Sequence, residues 1–215
     1  MTPPVEINEQ KPVYTSNVKV GASASYNKLG NDAFVLFGTK AEGQLEYKEF
    51  FAGADVTFGS GVSVGAEVGK NFDIGNHFGV EVSADANYTK KLFGKNNKIY
   101  IYNYSQAGQI DKSVAEKWKP GITTAGLKVL GEFKPTKWFT LGMGVSGQYA
   151  KNDAKNLSLT TELETTEIVT TEIKRSKEGI YVSPELKAEW RPNEHISFNG
   201  EVNRFGGEVS FGYNF

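Results

Sequence analysis

Phe78-Gly79-Val80-Glu81-Val82-Ser83-Ala84-Asp85-Ala86-Asn87-Tyr88 decides the fold. Every even-numbered residue in it is apolar, and every odd-numbered one is glycine, polar or acidic. A strand has a side-chain period of two, so the two sets face opposite ways. The same split runs through Val18–Tyr26, Val35–Tyr47, Ala52–Phe58 and Val62–Val68. It returns in Leu127–Phe133, Phe139–Tyr149, Ile180–Trp190, Ile196–Val202 and Val209–Phe215. The chain reads as all-β and antiparallel.

Alternation alone fits a soluble sandwich as well as a barrel. In a sandwich the polar face carries long, water-facing side chains. Here the polar face is rich in Gly and Ser, which suits a confined barrel interior. Aromatic residues flank the apolar face at both strand ends. Tyr26, Phe58, Tyr88 and Tyr149 mark one end, and Tyr47, Phe78, Phe133, Phe139, Trp190 and Tyr213 the other. Two such girdles are expected where a barrel meets both membrane interfaces. Composition permits this reading: hydrophobic residues are 39% of the chain and mean hydropathy is −0.41. No apolar run is long enough for a transmembrane helix, but only alternate residues of a barrel strand need face lipid.

The last strand, Val209-Ser210-Phe211-Gly212-Tyr213-Asn214-Phe215, resembles the C-terminal β-signal of bacterial outer-membrane proteins. By motif in this strand, and by pattern over about 200 residues, the chain resembles the superfamily of small outer-membrane β-barrels. That superfamily includes OmpA-like domains, opacity-type adhesins and narrow porin-like barrels. The resemblance implies a location in the outer membrane of a Gram-negative bacterium. It implies lipid bilayer and lipopolysaccharide as partners, and a barrel-assembly machinery that reads Val209, Phe211, Tyr213 and Phe215. It implies no activity.

Turns set the strand count. Short polar turns follow Glu46-Tyr47, Phe72-Asp73, Glu132-Phe133 and Glu189-Trp190. Outer-membrane barrels keep short turns on the periplasmic side and long loops outside. Four periplasmic turns, with both termini also periplasmic, give an up-and-down barrel of about ten strands over residues 17–215. The long outer loops are 90–119 and 151–177. Lys98–Tyr104 and Leu157–Lys174 also look like strands; counting them in the wall gives twelve, and eight is the remaining alternative. Thr160–Thr171 reads as an exposed hairpin arm. Residues 1–16, with three prolines, read as a flexible lead-in. They are not a signal peptide, so the exporting leader is expected to have been removed.

The inner face carries the chemistry. Eleven acids point inward: Glu42, Glu46, Asp55, Glu67, Glu81, Asp85, Glu132, Glu185, Glu189, Glu201 and Glu208. Four inward bases, Lys19, Lys40, Lys128 and Lys187, leave a surplus of seven negative charges. Such a lumen is either hydrated and cation-favouring or packed shut by salt bridges. The first implies a narrow porin-like pore for small solutes. The second implies a closed barrel acting as an adhesin or membrane anchor, with a surface receptor met by the long loops. The basic stretch Lys90–Lys98 also suits anionic lipopolysaccharide.

Enzymatic outer-membrane barrels use Asp, His and Ser combinations near the outer rim. The two histidines here, His77 and His195, fall in periplasmic turns, beside no recognisable partner motif. No catalytic residue, metal site or cofactor is expected. With no cysteine and a net charge of −1, neither disulfides nor nucleic-acid binding is expected.

Overall fold

The computed structural model describes residues 14–30, 32–94, 97–104, 110–154, 157–162, 168–173 and 176–215. For 97–104, 110–118, 157–162 and 168–173 it describes the backbone alone. Ten strands close into one antiparallel barrel: β1 (Tyr14–Leu29), β2 (Asp32–Tyr47), β3 (Phe50–Gly59), β4 (Gly61–Ile74), β5 (Phe78–Lys91), β8 (Gly121–Thr136), β9 (Phe139–Asn152), β12 (Glu178–Trp190), β13 (Ile196–Asn203) and β14 (Gly206–Asn214). Each strand pairs with its neighbour in the wall, and β14 pairs with β1 from Lys19↔Asn214 to Asn27↔Gly206. This closure removes both sheet edges, as a backbone surrounded by hydrocarbon requires.

The remaining four strands lie outside the wall. β6 (Asn97–Tyr104) pairs with β7 (Ile110–Trp118), and β10 (Leu157–Glu162) pairs with β11 (Ile168–Ile173), each as a separate two-stranded hairpin. Both hairpins interrupt connections at one end of the barrel, called here the arm end. The four short turns, at Lys48-Glu49, Gly75–His77, Lys137-Trp138 and Arg191–His195, lie at the opposite, turn end. Lys48 has φ 55° and Gly75 φ 75°, the left-handed conformations that tight reversals use.

The wall begins earlier than the sequence suggests. Residues 14–16, assigned from sequence to the lead-in, belong to β1. Tyr14 pairs with Tyr47, and their rings stack at 4.9 Å. Three prolines upstream made the boundary look later; the rest of the lead-in lies outside the described residues.

The two faces of the wall differ as the alternation requires. Val56, Val64, Val68, Leu127, Met143, Val145, Val202 and Val209 are all exposed on the outer face. In a soluble protein so continuous an apolar exterior is untenable; in a bilayer it is the solvated surface. At the turn end this band is bordered by aromatics in mutual contact: Phe78 with Phe133, Trp190 with Phe198, Phe198 with Phe211, and Tyr213 with Phe215. Lys70 sits over the rings of Phe50 and Phe72 and pairs with Glu49 at 3.0 Å. Its stem can thus lie along the apolar band while its charge stays at the interface.

Candidate functional site: the lumen

Among the described residues, the inner face lines a cavity of about 600 Å³. It runs from Ile122 and Phe205 towards the arm end down to Lys137, Trp138 and Arg191 at the turn end. The proposed lumen acids Glu42, Asp55, Glu67, Glu81, Asp85, Glu132 and Glu201 line it, with Glu46, Glu189 and Glu208. Glu185 also points inward but is only 1% exposed and lies behind the lining. Lys19, Lys40, Lys128 and Lys187 line the same space.

Most of these charges are paired across the lumen, and several cations serve two acids. Lys128 lies 3.0 Å from Glu67 and 3.9 Å from Glu201. Lys40 lies 2.6 Å from Glu208 and 4.0 Å from Asp55. Lys187 meets Glu81 at 2.9 Å, and Lys19 meets Glu42 at 3.6 Å. Ser83 Oγ lies within hydrogen-bond distance of both Glu67 and Glu81 and can donate its one hydrogen to either, and Ser146 donates to Glu185. Small inward residues make this possible. A Cβ at Gly65 would fall 2.4 Å from the Asp55 carboxylate, so glycine there keeps space for the acid.

The turn end corrects the lumen charge. Lys134, Lys137 and Arg191 lie in or beside turns, outside the alternating segments, yet all three line the cavity mouth. Lys134 pairs with Glu132 at 2.9 Å, Arg191 with Glu189 at 2.8 Å, and Lys137 packs over the Trp138 ring at 4.4 Å. Burial at the mouth opposes charge on Arg191. The Glu189 carboxylate that accepts from it outweighs that cost and holds its pKa above the ordinary value. Seven cations therefore face eleven acids, and the surplus is four negative charges, where strand alternation alone gives seven. Among the described acids, Glu46, Asp85 and Glu185 have hydrogen bonds and no ion pair.

The arm end of the interior is apolar, a feature the sequence reading missed. Leu29, Phe34, Leu36, Ile122, Ala150 and Phe205 form a buried cluster inside the barrel, with Tyr181 packed against it. The β13–β14 turn is pinned so that Phe205 enters: its N–H donates to Asn203 Oδ1 at 2.8 Å, and the Arg204 N–H donates to Ser183 Oγ at 2.7 Å. Tyr181 meets Phe205 edge-on at 5.5 Å and carries Arg204 over its other face at 4.8 Å. Buried Asn152 donates to Asp32 at 3.0 Å and accepts from the Lys177 N–H at 2.6 Å, tying β9, β2 and the start of β12 at this level. The signal was present in Ala33-Phe34-Val35-Leu36-Phe37, where both faces of a strand are apolar. The other contributors are single residues on different strands, and only the closed barrel brings them together.

The histidines stay in the turns. His77 Nδ1 lies 3.1 Å from the Lys134 carbonyl, and His195 stacks on Tyr213. No group of three metal-ligating side chains converges among the described residues. Val209, Phe211, Tyr213 and Phe215 all face outward on and just beyond β14.

No family model and no curated protein matches the chain. Solved structures do. Ail, the attachment invasion locus protein of Yersinia pestis, aligns at 10% identity over 93% of this chain and 97% of its own, with a TM-score of 0.36. Neisserial surface protein A aligns at 11% identity over 94% and 97%, with a TM-score of 0.35. The toluene transporter TodX of Pseudomonas putida aligns at 10% identity over 90% of this chain and 66% of its own, with a TM-score of 0.40. By its closure, its apolar exterior and its polar interior, the chain is a ten-strand transmembrane antiparallel β-barrel.

Proposed function

We propose that the chain is a bacterial outer-membrane barrel, sealed at its outer end, that anchors two hairpin arms at the cell surface. The observation that carries this reading is the apolar cluster of Leu29, Phe34, Leu36, Ile122, Ala150 and Phe205 across the interior at the arm end. Apolar constrictions oppose the passage of ions because water leaves them. In this reading the paired lumen charges stabilise the wall, and β6–β7 and β10–β11 meet a surface receptor. Exposed or half-buried cations at the arm end, Lys28, Lys90, Lys91, Lys119, Lys151, Lys177 and Arg204, suit the anionic head groups of lipopolysaccharide. The outward Val209, Phe211, Tyr213 and Phe215 serve as the assembly signal. No catalytic step is part of the proposal.

A second reading, a narrow cation-favouring pore, is supported by the acid surplus around the cavity. Conductance in planar bilayers separates the two. The sealed barrel gives no steady current, and a variant with Leu36→Ser, Ile122→Ser and Phe205→Ser conducts. Steady wild-type current with a cation-selective reversal potential overturns the sealed reading in favour of the pore.

A further inference from the structure

We propose that the lumen is a binding site, entered from the turn end, for a linear organic polycation of the polyamine class. The site does not depend on the arm end being sealed, since the lining below the apolar cluster is the same either way.

The cavity's walls define the ligand's chemistry. Eleven inward acids outnumber seven cations, and a carboxylate without a cation in a confined space is costly. Asp85 feels the Lys128 charge only from beyond ion-pair distance, and its only hydrogen bonds among the described residues are two long ones, at 3.4 Å, from Gln148 Nε2. Glu46, at the mouth, has among the described residues one hydrogen bond, accepted from Gln44 at 3.0 Å, and acts on Arg191 only from beyond ion-pair distance. The second observation is independent of charge. Gln148 lines the cavity at 3% exposure, and its Oε1 has no donor among the described residues. Asn71 Oδ1, also on the lining, is in the same position. These groups call for donors and offer none, which an ammonium satisfies, having three donors and no acceptor.

The distribution of the acids selects an extended ligand over a metal ion. The carboxylates lie on many strands along the length of the cavity, and no three converge to ligate a cation. A chain bearing several ammonium groups can meet carboxylates at successive levels of the lining, from Asp85 deep in the lumen towards Glu46 at its mouth. The entrance does not repel it: Lys134 and Arg191 are each neutralised by an acid. The third cation, Lys137, rests on the Trp138 ring, a face that a ligand ammonium can occupy in its place.

The test is calorimetric titration of spermidine into the folded full chain in detergent micelles, with Mg²⁺ at matched ionic strength as the control. Saturable heat is expected with spermidine, Mg²⁺ should compete only weakly, and Asp85→Asn and Glu46→Gln should each weaken binding about fivefold. Glu178→Gln, at the arm-end rim beside Lys151, should bind as wild type. Tryptophan fluorescence should respond to spermidine and lose that response in Trp138→Phe, which should also weaken the calorimetric signal. Glu46 lies at the mouth, so Glu46→Gln tests the site even if Asp85→Asn folds poorly. Absence of saturable heat, equal competition by Mg²⁺, or wild-type binding by Glu46→Gln overturns the proposal.

Discussion

Lys128→Met tests how the wall is held together. The lysine is 8% exposed and reaches two carboxylates, Glu67 at 3.0 Å and Glu201 at 3.9 Å. Methionine preserves most of the packed volume and removes the charge. Removing one partner from a fully buried pair costs about 3–5 kcal/mol, whereas an exposed pair is worth about 0–1. Here the cation is buried, but the carboxylates retain 31% and 42% of their side-chain exposure. Water therefore screens the acids left behind, and the expected loss is about 2 kcal/mol. Adding Glu67→Gln removes the stranded charge nearest the site. The double variant should therefore be more stable than Lys128→Met alone by about 1 kcal/mol. The assay is urea unfolding of vesicle-inserted protein followed by tryptophan fluorescence. A loss below about 0.5 kcal/mol, or strictly additive single and double variants, would refute the argument that this pair is a structural strut.

Two further expectations follow from the same geometry. Val64 lies on the outer apolar band between Val56 and Tyr88. Val64→Arg should cost about 2–4 kcal/mol near the midplane and Val64→Leu almost nothing; equal stability of the two in vesicles would deny that this face meets lipid. With the arm end at the cell surface, as proposed, a cysteine replacing exposed Lys151 should react with an impermeant maleimide on intact cells. One replacing exposed Glu49 should react only after lysis, and the reverse pattern would invert the barrel.

Much of the wall was legible because its physics is local. Each strand must show lipid one face and the lumen the other, so residues such as Phe78–Tyr88 carry their orientation in their own spacing. The strand count was legible because the short turns share a chemistry. An acid and an aromatic precede each of Lys48-Glu49, Lys137-Trp138 and Arg191–His195. The inward acids and lysines of the strand centres followed from the same parity. The reading was incomplete at the strand ends. Lys134 and Arg191 keep the inward parity of Lys128-Glu132 and Lys187-Glu189 one step past the segments quoted from sequence, and Lys137 alone reaches the mouth through turn geometry that a period of two does not encode. The start of β1 was displaced because proline content describes a segment's flexibility and is blind to a partner strand; Tyr14 is ordered by Tyr47, thirty-three residues away.

The apolar layer at the arm end was hidden for a different reason, and it shapes how the interior works. Ile122, Ala150 and Phe205 are each unremarkable in sequence, and they become a cluster only when β1, β2, β8, β9 and the β13–β14 turn meet across a closed circumference. Polar side chains begin at the level of that layer: Thr89, the register partner of Ile122, bonds Ser63 at 2.9 Å and Asn87 at 2.6 Å, and paired charges lie further towards the turn end. The segregation has an energetic logic. Apolar side chains exclude water from the end that faces the medium, where a packed plug needs no partners beyond its own contacts. The acids below them need water or cations, because seven bases cannot neutralise eleven carboxylates in a space of low dielectric. In the sealed reading proposed above, an apolar layer closes one end and the charge-balanced mouth at the other meets that need from one side of the membrane only. The barrel can therefore be sealed against ion flow and still exchange cations with the compartment at its turn end.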